Sequence, residues 1–568
     1  VRLAFAIAFA ALPATATEPS PELQLALTSL RGGERARLER ALGPAQALPL
    51  YRGDLVVDPE GRRVSGRLAV SFPAPQLVES VLFRLTPNAA HPGAVQIPEA
   101  RVNGATARIA LPDPSLVRVA VSPPVLAGET VMVELSLRAR VPQLPAADPL
   151  AGLSDGARGD YGAYAASSDL VSLAGLVPLL APEVNGKLLE GPSGIGDLGT
   201  GAPAHFLVSV AAPSAWQVFS GGALVGEVPQ GDGTTRTAYA LAAARDFPLM
   251  LLRHPEVAVK QAGDVRIEAV TFQADAARGK AVADSAAKLL ELLEARLGPY
   301  PYKTLRVVQA RFTGGAGGME FPGLVAISAT LYGGEANPLE ALGLGGPHLH
   351  AMTALLGPEL EALLQHTLEF TLAHELAHQY TAMLVGSDAV GEPLADEALT
   401  QHLALLLLEW RHGKATANLM RDGQLKAAYQ LHRMLGGDDG RADRPTYEFE
   451  SNREYAALVY GKAPLAFDAM REVVGAEAWQ QALKRYVEAH RYRWVTGRTF
   501  LEQLCAAHPG HAKRLKALAR RWWEEAHGDE DLGGLNLEQL VGRGSGLQGL
   551  DPALLEKALK QLEQLMRE

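Results

Sequence analysis

The chain has 568 residues, too many for one core, and implies two to four domains. Its 48% hydrophobic and 20% charged content is that of an ordinary globular protein and excludes a disordered or fibrous one. A formal charge of -10, with no basic tract interleaved with aromatics, argues against a nucleic-acid partner.

Arg2, the apolar run Leu3 to Leu12 and the small residues Ala14-Thr15-Ala16 predict a secretory signal peptide over 1–16, too short to span a bilayer, and hence export. No later run is long enough to cross a membrane, and LALLLLEW at 403–410 reads as core. The only cysteine, Cys505, rules out an intrachain disulfide. From about 48 to 260 the hydrophobic period is mostly two. TVMVELSLRARV, from Thr130, places Val131, Val133, Leu135, Leu137, Ala139 and Val141 on one face; LVRVAV, from Leu116, behaves similarly, and AGET at 127–130 supplies the turn between them. This predicts a β-sandwich-like domain over 17–264, with partly helical character before residue 48.

The segment 273–298 reads as a helix ended by Gly298 and Pro299, and LRVVQA (305–310) and LVAISA (324–329) as strands joined by TGGAGGMEFPG. From 356 onward the pattern is helical, loosened only at 437–445. The tail PALLEKALKQLEQLM carries a Leu555, Leu559, Leu562, Met566 stripe that docks on the rest of the protein.

In TLAHELAHQY (371–380), His374 and His378 stand four apart and therefore share a helix face, with Glu375 beside them. Such a pair can hold Zn²⁺ while the carboxylate works on a water that the metal activates. A catalytic zinc needs a third protein ligand, here expected from the next helix, GEPLADEALTQHLALLLLEW. Its candidates are Glu392, Asp396, Glu397 and His402; Glu392 sits before Pro393 in the turn, and spacing alone does not separate Asp396 from Glu397, which face different directions on an α-helix. His348, His350, His366, His402 and His432 read as surface or core residues.

This arrangement resembles the M1 family of zinc aminopeptidases, in which HExxH is followed by eighteen residues and a Glu; the same count from His378 reaches Glu397. The resemblance extends to GGMEFPG (317–323), which follows RLGPYPYKTLRVVQA, and to REYAALVYGKAPLAFDAM from Arg453. It implies a multidomain α+β fold, an N-terminal β-sandwich-like domain (17–264) followed by a thermolysin-like, mainly helical zinc metallopeptidase domain (265–480) and a C-terminal helical segment (481–568). It also implies one Zn²⁺ per chain on His374, His378 and Glu397, with Glu375 as general base and Tyr460 as oxyanion donor. Glu320, Gly317, Gly318, Met319 and Tyr455 are expected to contact a peptide substrate, Glu320 through its free α-amine; no other protein partner is implied.

The implied activity is release of N-terminal residues by a periplasmic or secreted bacterial enzyme. The alternatives are an endopeptidase of the HExxH class or a catalytically weak zinc-containing peptide-binding protein. About 170 residues follow Glu397, which predicts a divergent bacterial branch without the large C-terminal helical domain of many relatives. The family's upstream substrate-contacting Gln has no evident counterpart in SDGARGDYGAYAASSDLVSLAGLVPLLAP, 154–182.

Overall fold

A computed structural model describes residues 19–145, 159–184, 186–199, 201–332 and 350–533, the side chains of the last segment from 365 onward. All structural statements below concern these residues; the expected signal peptide and the 552–566 stripe lie outside them.

Two short helices, Pro21–Leu27 and Glu34–Leu42, precede the sheets. An eight-stranded sheet then takes in Leu50–Asp58, Arg63–Pro73, Thr130–Arg140, Ala204–Pro213 and Thr234–Ala244. A four-stranded sheet containing Val78–Arg84 and Leu116–Val125 packs on it. Val131, Val133, Leu135 and Leu137 from the first sheet share one core with Val117, Val119 and Val121 from the second, as period-two patterning requires of a sandwich. The AGET turn therefore does not close a hairpin. It carries the chain across the sandwich, because Leu116–Val125 pairs with Val78–Arg84 while Thr130–Arg140 pairs with Arg63–Pro73.

A five-stranded sheet opens the second half, in the order Glu256–Ala262, Val265–Thr271, Thr304–Ala310, Leu324–Ser328, Gly318–Phe321. The expected boundary at 264 falls in the turn of its first hairpin, where Ala262 opposes Val265. Helix Ala276–Leu297 covers the sheet with Val282, Ala286, Leu289, Leu290, Leu293 and Leu297, a helical-period stripe that stops at Gly298, φ 106°. Gly318–Phe321 is an edge strand, and the long helix His350–Thr381 lies against it. The remaining helices, from Leu399–His412 to Gly528–Leu532, complete the α-rich half, so the chain has the expected multidomain α+β class. The two halves are tied by Glu34, a buried carboxylate that accepts from Arg491 Nε at 2.7 Å and Tyr492 Oη at 2.6 Å. No described helix is long and apolar enough to cross a membrane.

One pH response follows from the β half. His205 is fully buried; its Nδ1 accepts from the Ala243 N–H at 3.3 Å and its Nε2–H donates to the Ala45 carbonyl at 3.0 Å. Burial pushes this imidazole down to about 4. As pH falls from the ordinary histidine value of 6.5 the unfolded chain takes up this proton before the folded one, so the fold loses stability between 6.5 and about 4. Thermal melts across that window are expected to show a falling Tm for the natural chain and a shallower fall for His205→Gln.

Candidate functional site

The long helix sets His374 and His378 one turn apart, and their ring nitrogens converge, Nε2 to Nε2, at 2.9 Å. After Pro393 the chain makes a π-helical turn, Leu394–Ala398, before continuing as the helix Leu399–His412. In this widened turn Asp396 and Glu397 both reach the same histidine, contrary to the divergence an α-helix would give. Glu397 Oε2 lies 3.3 Å from His374 Nε2 and 3.4 Å from His378 Nε2, while Asp396 Oδ1 lies 3.1 Å from His378 Nδ1 on the ring's other side. A carboxylate at Nδ1 favours the tautomer that leaves Nε2 as a free lone pair. Glu392, by contrast, stays in the turn and accepts from the Gly497 N–H at 2.6 Å.

The donor set is that of a metal site. His374, His378 and Glu397 each offer one ligand atom within 4.8 Å of the others, and all three are buried. His374 Nδ1 has no hydrogen-bond partner, and the buried Glu397 carboxylate faces His374, His378, Asp197 and the Tyr460 hydroxyl. Two imidazole nitrogens and a carboxylate converging on one point can hold a cation between them, and two His with one Glu suit Zn²⁺.

Glu375 is buried beside this triad, with Oε2 unpartnered. The edge strand passes directly over it: a Cβ on Gly318 would stand 2.4 Å from Glu375 Oε1, and one on Gly317 would stand 3.3 Å from Thr371 Cγ2. Only glycine lets this backbone lie so close to the helix. Gln379, one turn after Glu375, secures the strand by donating to the Phe321 carbonyl at 2.9 Å and accepting from the Gly323 N–H at 3.0 Å. Glu320 and Met319 line a small cavity with Asp197, Asp246, Phe321, Met383 and Asp396.

A further π-helical turn, Ala456–Lys462, carries Tyr460. Its ring centroid is 5.8 Å from that of His374 and 5.6 Å from that of Tyr455, whose buried hydroxyl is unpartnered. Burial first, then the carboxylates of Glu397 and Asp197, hold the Tyr460 hydroxyl well above the usual phenol range. It is therefore a neutral donor at physiological pH.

The structure brings together every expected site residue and adds Asp197, which the sequence did not disclose. Asp197 follows Gly196, φ 72°, in a loop from the β half; one of its oxygens is shielded and unpartnered, and with Glu320 and Asp396 it forms a second converging carboxylate group. Burial and then Glu320 push the Asp197 carboxyl well up, and burial pushes Glu320 to about 8, with Asp396 and Glu397 adding to the rise and His378 opposing it. So many crowded carboxyls favour positive charge, in a metal or in a ligand. A single acid between glycines in an irregular loop leaves no periodic signal, so only the fold reveals it. His402 is a core residue, its Nδ1 2.9 Å from Asp468 Oδ1 and its ring 5.2 Å from Trp479, and His432 lies against the Asp438 carbonyl at 3.1 Å. The side chains of His348 and His350 lie outside the described residues.

Residues 350–522 match the Peptidase family M1 domain. Among solved structures the chain is similar to an M1 zinc metallopeptidase from Deinococcus radiodurans, at 18% identity and a TM-score of 0.56, over 84% of this chain and 94% of that one. A substituted form of that enzyme bound to a Tyr-Ser-Ala substrate gives the same identity and coverage with a TM-score of 0.55. A two-domain M1 zinc metallopeptidase mutant bound to L-arginine gives 18%, 0.56 and the same coverage. No curated protein matches. At this identity the likeness establishes the fold, and fold and His-Glu-x-x-His motif together match M1 zinc metallopeptidases. The expectation of a branch lacking the C-terminal helical domain of its relatives is corrected here: the match takes in 94% of these two-domain structures, so their helical part has its counterpart in this chain.

Proposed function

We propose that the chain is a zinc-dependent aminopeptidase. The observation that carries this reading is the pairing of the His374, His378, Glu397 triad with a second converging carboxylate group, Asp197, Glu320 and Asp396, beside it. Bound on the triad, Zn²⁺ would supply a Lewis acid for water and for the scissile carbonyl. Glu375 takes the proton of the attacking water and returns it to the leaving nitrogen. Tyr460 donates to the oxyanion of the tetrahedral intermediate. Glu320 and Asp197 hold the substrate's α-ammonium, fixing the scissile bond one residue away; the glycine-bearing edge strand offers backbone groups to the extended peptide. Met319 and Tyr455 border the bound residue. Asp197 supplies a second contact for the amine where the upstream Gln has no evident counterpart, which favours the exopeptidase over the endopeptidase reading. The 1–16 segment supports export as part of the same proposal.

Matched free-amine and N-acetylated peptides, with and without a chelator, test this. Cleavage that requires the free amine and stops with the chelator is expected. Equal cleavage of blocked peptides would make the protein an endopeptidase, and none in the zinc-loaded chain would make it a binding protein.

A further inference from the structure

The three walls of the cleft come from distant parts of the chain: the loop with Asp197, the glycine-rich link that leads into Gly318–Phe321, and the helical start that runs into Tyr460. One residue touches all three. The Tyr161 hydroxyl accepts from the Gly196 N–H at 2.9 Å and donates to Asn452 Oδ1 at 2.9 Å. Its carbonyl accepts from the Thr313 N–H at 2.9 Å, and its ring lies where a Cβ on Gly314 would come within 3.3 Å. The ring also packs against the cluster that contains Met319 and Phe321. Asn452 opens the helix Asn452–Tyr455, which passes directly into the turn bearing Tyr460.

The backbone of Tyr161 is held at φ 56°, a left-handed conformation that costs a bulky residue energy and persists only where its surroundings enforce it. Gly196 is equally constrained, since a Cβ there would stand 3.0 Å from the Tyr455 hydroxyl and 2.9 Å from Thr446 Cγ2. The Asp197 loop is thus pressed against the helical half with little freedom. Further polar ties of the loop are Ser193 Oγ to Thr446 Oγ1, at 2.8 Å, the Gly159 N–H to the Gly194 carbonyl, at 3.0 Å, and Asp197 to Glu397.

We propose that Tyr161 is the positioning residue that holds Asp197 in the cleft, and that through Asp197 it sets affinity for the substrate's free amine. The inference rests on the aminopeptidase reading for its effect on substrate, though not for its effect on the loop. No described hydrogen bond runs from Tyr161 to a metal ligand or to Glu375, and its direct tie to the loop of Asp197 places its main effect on binding.

The test uses the full-length, zinc-loaded chain with Tyr161→Phe, which keeps the ring and removes the two hydroxyl hydrogen bonds. Asn452→Ala, which removes the hydroxyl's acceptor, serves as the second variant. Hydrogen exchange of the 193–199 segment is expected to rise about 3- to 10-fold in both variants, the size of one lost hydrogen bond. For the free-amine tripeptide that the natural chain cleaves fastest, KM is expected to rise by a similar factor, about 3- to 10-fold, with kcat little changed. In an Asp197→Asn background Tyr161→Phe should add nothing further to KM. Unchanged exchange at 193–199 in both variants would overturn the proposal. So would a KM effect that persists undiminished without the Asp197 carboxylate, or a loss confined to kcat. If the natural chain cleaves no free-amine peptide, the aminopeptidase reading fails, and the exchange measurement still decides whether Tyr161 holds the loop.

Discussion

Replacing Glu375 with Gln is expected to leave the metal bound and to lower kcat/KM for peptide hydrolysis about 10²- to 10⁴-fold, the range for loss of a positioned general base. Gln has the shape of Glu, so it keeps the packing beneath Gly318, where the Oε1 position is enclosed by the edge strand. It cannot accept the proton of the attacking water. His378 does not depend on Glu375 for orientation, since Asp396 holds it at Nδ1. Metal analysis should therefore give the same zinc-to-protein ratio for variant and natural chain, while steady-state rates diverge. Near-natural rates in zinc-loaded, contaminant-free Glu375→Gln protein would remove Glu375 from its role.

Tyr460→Phe is expected to lower kcat about 10²- to 10³-fold with a much smaller change in KM. The hydroxyl is a neutral donor beside His374 and Glu397, and an oxyanion forms only as the carbonyl is attacked. Its contribution therefore belongs to the transition state rather than to substrate binding. The ring contacts to His374 and Tyr455 survive in Phe, so stability should change little. A variant that loses affinity while keeping its turnover would place Tyr460 in substrate binding instead.

Much of this site is legible in the sequence because its chemistry is local. Two histidines four apart on a helix, a glutamate between them and a glycine pair before Met319-Glu320 are short-range patterns with direct geometric consequences. The choice between Asp396 and Glu397 is not legible from an ideal helix, because the π-helical turn at Leu394–Ala398 widens their approach until each takes one nitrogen of His378. Asp197 and Tyr161 are harder still. Their meaning depends on contacts with Glu320 and Asn452, which are far away in the chain, and no periodicity marks them. In the β half the alternation of Thr130–Arg140 gives its buried face, but which sheet each strand joins is decided by packing between layers, not by the turn at 127–130.

The most direct test of the account is zinc titration of chelator-treated protein, following bound metal and peptide hydrolysis together. Activity should return in proportion to zinc and level off at one ion per chain, and replacing His374, His378 or Glu397 by Ala should abolish both tight binding and hydrolysis. Full hydrolysis in metal-free protein, or one zinc still tightly bound after each of these three substitutions, would contradict it.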